Sequence, residues 1–144
     1  MSNRLRVYLA EDNADDRAMV SECLLALGPD YELSHFLTGD ELCDQVAEDR
    51  RRRSLPLLIL LDLNLPGLDG LAVLDYLKGS DELRSIPVVM LTTSNNPDDI
   101  RGCYRAGANC YTVKPFELPE FRSLLQETLE YWLVRATLPD DRIR

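Results

Sequence analysis

The sequence predicts an α/β domain built on a parallel five-stranded sheet with helices on both faces. Two observations support this fold class. Five short strand-like segments alternate with five segments whose apolar residues recur at helical spacing, and the strand at 57–61 is apolar at every position. Such a strand is covered on both of its faces. Parallel strands joined through helices form right-handed crossovers, so the sheet is expected to be doubly wound, with three layers.

The strands are predicted from short apolar or alternating runs bounded by polar and turn-forming residues. The first run follows a charged start, the second alternates partly, and the third and fourth are almost wholly apolar. Each lasts only four to seven residues, which suits strands better than helices. The predicted strands are 5–10, 31–37, 57–61, 87–91 and 110–113.

The helices between them are predicted from apolar spacing and from residues typical of helix ends. Gly28 and Pro29 end the first, and Thr38 with Glu41 forms a capping box at the start of the second. The third carries Val73, Leu74 and Leu77, and the fourth begins after an Asn-Pro-Asp-Asp sequence at 96–99, a cap followed by a first-turn proline. The last is predicted over about 119–136.

Composition excludes several classes of function. The 144 residues carry a net charge of −9 and a pI near 4.6, which disfavours binding to nucleic acid. The longest apolar run, 57–61, is far too short to span a membrane, and the first residues lack a secretory signal. We therefore expect a cytoplasmic protein with no nucleic-acid or membrane partner. The four cysteines form no C-x-x-C pair, which argues against a zinc site.

Polar residues follow four of the predicted strands, where ligands bind in sheets of this type. Carboxylates follow the first and third strands, hydroxyls follow the fourth, and an ammonium follows the fifth. Clustered carboxylates repel one another unless a cation neutralises them, and hard oxygen ligands suit Mg²⁺. A carboxylate beside a metal and facing an anion-binding lysine is suited to attack a phosphoryl group. The residues concerned are Glu11, Asp12, Asp62, Thr92, Thr93 and Lys114.

Four motifs together resemble the receiver domains of bacterial response regulators, the CheY-like family. The segment 60–70 is similar to the family's phosphoacceptor segment, and Glu11-Asp12 is similar to its acidic pair. The segments 91–93 and 111–116 match its remaining two signatures in order and at suitable distances. The similarity covers nearly the whole chain. It implies a flavodoxin-like (βα)5 fold with strand order 2-1-3-4-5.

The resemblance also implies roles for individual residues. Asp62 would be the phosphorylated aspartate, and Mg²⁺ would be bound by Asp12, Asp62 and the backbone carbonyl of Asn64, with Glu11 contacting it directly or through water. Thr92 would hydrogen-bond the phosphoryl oxygens and Lys114 would pair with them. Tyr111 would turn inward as Thr92 moves, and the Lys114–Pro115 peptide would be cis. Two positions depart from the commonest family pattern: Glu11 stands where Asp is frequent, and Thr93 where Ala is frequent.

We expect one receiver domain over 1–144, with the fifth helix and a short tail at 117–144. Because little chain remains after that helix, no effector domain is expected there. The function expected from the resemblance is that of a stand-alone response regulator phosphorylated by a sensor histidine kinase. It would catalyse only its own phosphorylation and dephosphorylation.

The fifth helix carries more apolar residues than one core face needs. Leu124, Tyr131 and Leu138 suggest a second stripe, which is either core or the contact of a homodimer formed by the face of helix 4, strand 5 and helix 5. The ending 130–133 with its tail resembles single-domain regulators that partner phytochrome-type histidine kinases and form homodimers. A bacteriophytochrome is therefore the expected kinase partner.

Two other functions are alternatives to this interpretation. A phosphatase of the haloacid dehalogenase type would use an aspartate nucleophile, but it needs an acid two residues later, and residue 64 is Asn. A receiver-like scaffold that is never phosphorylated would only bind partners. The presence of Asp62, Thr92 and Lys114 together argues against it.

Overall fold

The computed structural model describes residues 5–139, in which five strands alternate with five α-helices. All strand pairs are parallel and the strand order is 2-1-3-4-5, as expected for this fold. In chain order the elements are β1 (Leu5–Ala10), α1 (Ala14–Leu27), β2 (Tyr31–Phe36), α2 (Gly39–Arg52), β3 (Leu58–Leu61), α3 (Gly70–Lys78), β4 (Val88–Thr92), α4 (Pro97–Arg105), β5 (Cys110–Val113) and α5 (Leu118–Glu130).

The core lies on both faces of the sheet, because successive residues of the central strands point to opposite sides. Ile59 of β3 packs in the apolar layer that holds residues of α2 and α3, and the next residue, Leu60, packs in the layer of α1 and α5. Every residue of β3 and β4 is buried. This explains why the central strands are apolar throughout, and it leaves only the strand ends for polar chemistry.

The helix starts predicted at Thr38 and Asn96 are confirmed by side-chain caps, and Asn13 caps α1 as well. Asn13 accepts a hydrogen bond from the backbone N–H of Asp16 at 3.0 Å, and Asn96 caps α4 in the same way. Thr38 accepts from the N–H of Glu41, as expected for a capping box. The Glu41 carboxylate accepts from the backbone N–H of residue 37, one position earlier than in the standard motif.

The end of the last helix differs from the prediction of one regular helix over about 119–136. The α-helical hydrogen bonds end at Glu130, and Tyr131–Arg135 form a wider π turn. The Tyr31 hydroxyl donates to the carbonyl of Leu133 at 3.3 Å, and Trp132 and Leu133 pack against the layer of α1 and α5. These tertiary contacts, which local sequence cannot reveal, accompany the change of helix type.

Within residues 5–139, none of the helices is both long enough and apolar enough to cross a membrane.

Candidate functional site

The carboxyl edge of the sheet brings the predicted site residues together. Glu11 and Asp62 are the first residues after β1 and β3, Thr92 ends β4, and Lys114 directly follows β5. Backbone hydrogen bonds continue past the strand ends: the N–H of Asp62 donates to the carbonyl of Ala10 at 3.1 Å, and that of Lys114 donates to the carbonyl of Thr92 at 2.7 Å. The sheet therefore fixes the backbone from which these side chains project.

Three carboxylates form a cluster that could hold a metal ion. Glu11, Asp12 and Asp62 each offer one oxygen, and these oxygens lie within 4.8 Å of one another. Glu11 and Asp62 are buried, whereas Asp12 is exposed and leaves the cluster open to solvent. An all-oxygen site with an open side fits a hard divalent cation that keeps part of its water shell. The donor set therefore fits a divalent metal.

Asn64 lies beside this cluster. Its backbone N–H donates to Oδ1 of Asp62 at 3.3 Å, which places the residue next to the predicted phosphoacceptor. Its carbonyl as a metal ligand stays a prediction.

Lys114 is the cation of the site. Its ammonium group pairs with Glu11, with Oδ2 of Asp16 at 2.8 Å and with Oδ2 of Asp62 at 3.7 Å. Only 7% of its side chain is exposed. Burial alone would lower the pKa of Lys114, but the hydrogen bonds to Asp16 and Glu11 outweigh it and hold the pKa above its usual value. The ammonium therefore stays charged at neutral pH.

The pKa of Glu11, in contrast to that of Lys114, shifts in the direction that burial favours. Burial raises the pKa of Glu11 to about 7, and the nearby Asp62 carboxylate adds to the rise, although the hydrogen bond from Lys114 opposes it. The Glu11 side chain is only 2% exposed, so the cost of burying its charge is large. Without a metal, Glu11 is thus partly protonated at neutral pH.

This raised pKa predicts that metal binding depends on pH. A divalent cation binds the carboxylate and not the acid, so below pH 7 a proton must leave Glu11 when the metal enters. We expect Mg²⁺ affinity, measured by calorimetry, to fall by up to about tenfold per pH unit as pH drops from 7 to 5.5. Glu11→Gln should bind Mg²⁺ more weakly but with a flatter pH profile. An equally steep profile in that variant would assign the proton to another group.

The predicted switch residues both contact the loop after β4. Thr92 is completely buried, and its hydroxyl accepts from the backbone N–H of Ser94 at 3.3 Å. Tyr111 is half-buried against the layer of α2 and α3, and its hydroxyl donates to the carbonyl of Ser94 at 2.9 Å. The Ser94 hydroxyl in turn donates to Asp99 in the first turn of α4. One short loop thus connects Thr92 and Tyr111 with the start of α4.

One expectation about the backbone is wrong. Residues 5–139 contain no cis peptide bond, so Lys114–Pro115 is trans and not cis as the resemblance implied. A bond before proline favours trans by only about 0.5–1 kcal/mol, so the residue types alone do not decide between the two forms.

Sequence reasoning missed two side chains of the site. Asp16 pairs with Lys114, and Arg17 donates to the backbone carbonyl of Glu11 at 3.2 Å. Both lie in the first turn of α1, within or beside a polar stretch at 11–16. The sequence feature that could have indicated Asp16 is an acid at the third position of this helix. Acids are common in first turns, however, because they stabilise the positive end of the helix dipole.

The two predicted interface residues have different surroundings. Tyr131 is 56% exposed, whereas Leu124 is half-buried and packs against the layer of α1 and α5. A separate group of exposed apolar side chains lies on α4, on β5, in the loop after β5 and at the start of α5. These residues are Tyr104, Val113, Phe116 and Leu118.

Known proteins resemble the chain over nearly its full length. A family model described as the response regulator receiver domain matches residues 7–126. The response regulator Rcp1 of Synechocystis is 38% identical over 137 residues, which cover 92% of each chain.

Two solved structures resemble the fold. The phosphorylated cyanobacterial phytochrome response regulator RcpA is 37% identical with a TM-score of 0.90, covering 95% of this chain and 99% of its own. The Mn²⁺-bound form of Rcp1 is 37% identical with a TM-score of 0.85, covering 93% and 98%. One neighbour is therefore phosphorylated, and the other holds a divalent metal.

Proposed function

This chain belongs to the response regulator receiver domain family, and from that membership we propose that Asp62 accepts a phosphoryl group from a sensor histidine kinase. The observation that carries the proposal is the position of Asp62. Its carboxylate lies in a cluster suited to a divalent cation, and the buried ammonium of Lys114 is 3.7 Å away. A nucleophilic oxygen, a cation site and an anion-binding group thus meet at one strand end.

In the proposed reaction an oxygen of Asp62 forms a bond to phosphorus while the P–N bond of a phosphohistidine breaks. The electron pair of that bond stays on the imidazole nitrogen, which takes up a proton. Mg²⁺, held by Glu11, Asp12, Asp62 and the carbonyl of Asn64, would neutralise charge on the transferred group. The ammonium of Lys114 would also stabilise the phosphoryl oxygens, because it remains charged at neutral pH.

The added charge also supplies a switch. A phosphoryl group brings about −1.5 to −2 charges to the cleft, and Thr92, which ends the neighbouring strand β4, offers a hydroxyl donor. Thr92 only accepts in its contact with the N–H of Ser94, so its hydroxyl proton is free to donate to a phosphoryl oxygen, and a shift of the side chain toward that oxygen would loosen the contact with Ser94. Since Tyr111 bonds to the same Ser94, the change would pass to the surface of α4 and β5.

The proposed kinase partner is of the phytochrome type. The observation that supports this choice is the similarity to RcpA, which is described as a phytochrome response regulator. We place the protein in the cytoplasm, in keeping with its four free thiols, since reducing compartments keep cysteines unpaired. The proposal includes no turnover of an external substrate, because residue 64 is Asn and not the acid that a phosphatase of this kind would need.

Phosphotransfer profiling tests both parts of the proposal. Phosphorylated kinases of phytochrome type and of chemotaxis type are mixed with the protein, and incorporation is followed by intact-protein mass spectrometry. We expect faster transfer from the phytochrome-type kinase. Equal or faster transfer from the chemotaxis-type kinase would remove the phytochrome assignment, and no transfer from any kinase would favour the scaffold function.

We also propose that the protein forms a homodimer through the face of α4, β5 and α5. Phe116 is 99% exposed there, next to the exposed Val113 and Leu118. Contiguous apolar side chains of this kind are typical of protein contacts. Tyr131, beyond the end of α5, is part of the proposed contact, whereas Leu124 contributes its exposed edge.

Sedimentation of charged variants tests the dimer. Phe116→Asp and Tyr131→Asp are expected to shift the mass toward that of one 16.4 kDa chain, because each places a carboxylate in the contact. Leu25→Asp is the matched control: Leu25 is 74% exposed but lies on α1. Leu124→Asp is less informative, since a charge at this half-buried position would also destabilise the fold. One common mass for all variants and the wild type would contradict the proposed interface.

A further inference from the structure

Lys114 has three N–H donors, and two of them are occupied in this structure. One donates to Oε1 of Glu11 and another to Oδ2 of Asp16 at 2.8 Å. The remaining charged neighbour is Oδ2 of Asp62, at 3.7 Å, beyond hydrogen-bonding distance. With two donors fixed, the ammonium cannot rotate freely, and its third N–H is left for a group near Asp62.

The backbone of Asp16 is held in place by hydrogen bonds at the start of α1. Asp16 lies in the first turn of α1, where its backbone N–H donates to the side chain of Asn13, the residue that caps the helix. The N–H of Asn13 in turn donates to Oε2 of Glu11 at 3.2 Å. The start of α1 is thus tied to the end of β1, which fixes the backbone of Asp16 relative to the cluster of carboxylates.

We propose that Asp16 is a positioning residue, whose carboxylate orients the ammonium of Lys114 so that its free N–H points to the phosphoryl group on Asp62. The inference rests on the proposed phosphorylation of Asp62 and deepens it. In this assignment Asp16 contacts neither the phosphoryl group nor the metal ion that the three carboxylates would hold. It acts only through Lys114.

Glu11 alone cannot fix the orientation of the ammonium, because its carboxylate has two binding partners. It belongs to the cluster of oxygens that fits a divalent cation, and it also accepts from Lys114. When a cation attracts Glu11, its bond to Lys114 is weakened. Asp16 lies outside that cluster and keeps its contact with the ammonium, so it maintains the orientation when the site is loaded.

Burial makes the contact effective. Ion pairs between exposed side chains contribute little, since water screens both charges. Here the lysine is 7% exposed and Asp16 only 23% exposed, so the pair is largely shielded. Asp15, its neighbour in the same turn, is exposed and forms no ion pair with any residue in 5–139.

The test compares Asp16→Ala, Asp16→Asn and the control Asp15→Ala. Each variant is phosphorylated with phosphoramidate in saturating Mg²⁺, and the initial rate of incorporation is measured by mass spectrometry. We expect Asp16→Ala to be about tenfold slower, the loss corresponding to one charge-assisted hydrogen bond. Asp16→Asn should stay within about threefold of wild type, because its amide oxygen still accepts from Lys114. Asp15→Ala should match wild type.

A second measurement separates positioning from a general effect on the site. The Mg²⁺ affinity of Asp16→Ala should stay within about threefold of wild type, since Asp16 is not among the clustered oxygens. A wild-type rate in Asp16→Ala, or a rate in Asp16→Asn as slow as in Asp16→Ala, would overturn the inference. If Asp16→Ala fails to fold, Asp16→Ser replaces it under the same criteria. No incorporation into wild-type protein from phosphoramidate or from kinase would instead contradict the proposed function.

Discussion

Asp62→Asn is expected to abolish phosphoryl incorporation while the protein stays folded. The substitution removes the nucleophilic oxygen charge, and an amide cannot form the acyl phosphate. The fold should persist because the Asn side-chain oxygen can still accept the N–H of Asn64, as Oδ1 of Asp62 does now. The variant also removes one of three mutually repelling carboxylates, so its thermal unfolding temperature should equal or exceed that of wild type without metal.

Mass spectrometry after incubation with phosphorylated kinase measures this result, with peptide mapping to locate the modification. Asp15→Asn is the matched control, since it makes the same chemical change at an exposed site in the first turn of α1. It should be phosphorylated like wild type. Full incorporation into Asp62→Asn would show that the phosphoacceptor is another residue.

Gly70→Ala is expected to destabilise the fold by about 3 kcal/mol, although the change adds only one methyl group. Gly70 begins α3 against the loop that carries the phosphoacceptor, and its N–H donates to the carbonyl of Leu63 at 2.8 Å. A Cβ at this position would overlap the carbonyl oxygen of Asp62 and lie 2.6 Å from Cα of Leu63. Because the colliding atoms are backbone, either α3 or the loop after β3 must shift.

Urea unfolding of Gly70→Ala and Gly102→Ala tests this explanation. Gly102 lies within α4, and a Cβ there would meet no atom within 4 Å. Its replacement should stabilise the protein by about 0.5–1 kcal/mol, as expected for Gly to Ala within a helix. The phosphorylation rate should fall only in Gly70→Ala, since only that loop holds Asp62. Equal stability of the two variants would show that the loop adapts without strain.

Much of the candidate site could be predicted because parallel strands end at one edge of the sheet. Glu11, Asp62, Thr92 and Lys114 each follow or end an apolar run, so the strand pattern alone placed them at one edge. The motifs then identified the family, which the match over residues 7–126 confirms. The assignment of individual roles to these residues stays a prediction.

Other features depended on distances between segments far apart in sequence. The contact between Asp16 and Lys114 joins residues on α1 and after β5, and nothing local distinguishes Asp16 from the exposed Asp15 beside it. The widening of the last helix at Tyr131–Arg135 occurs beside the contact with Tyr31 on β2. The trans form of Lys114–Pro115 was likewise not decided by the residue types.

The local pattern of apolar and polar residues sets the alternation of strands and helices, and it sets the edge of the sheet where polar side chains gather. Both features follow from the spacing of apolar residues, which can be read within each segment of the sequence. The packed fold sets which carboxylates hold the lysine and which glycines have no room for a methyl group. Both depend on separations of a few ångströms between atoms that the chain brings together only when the sheet and its helices pack.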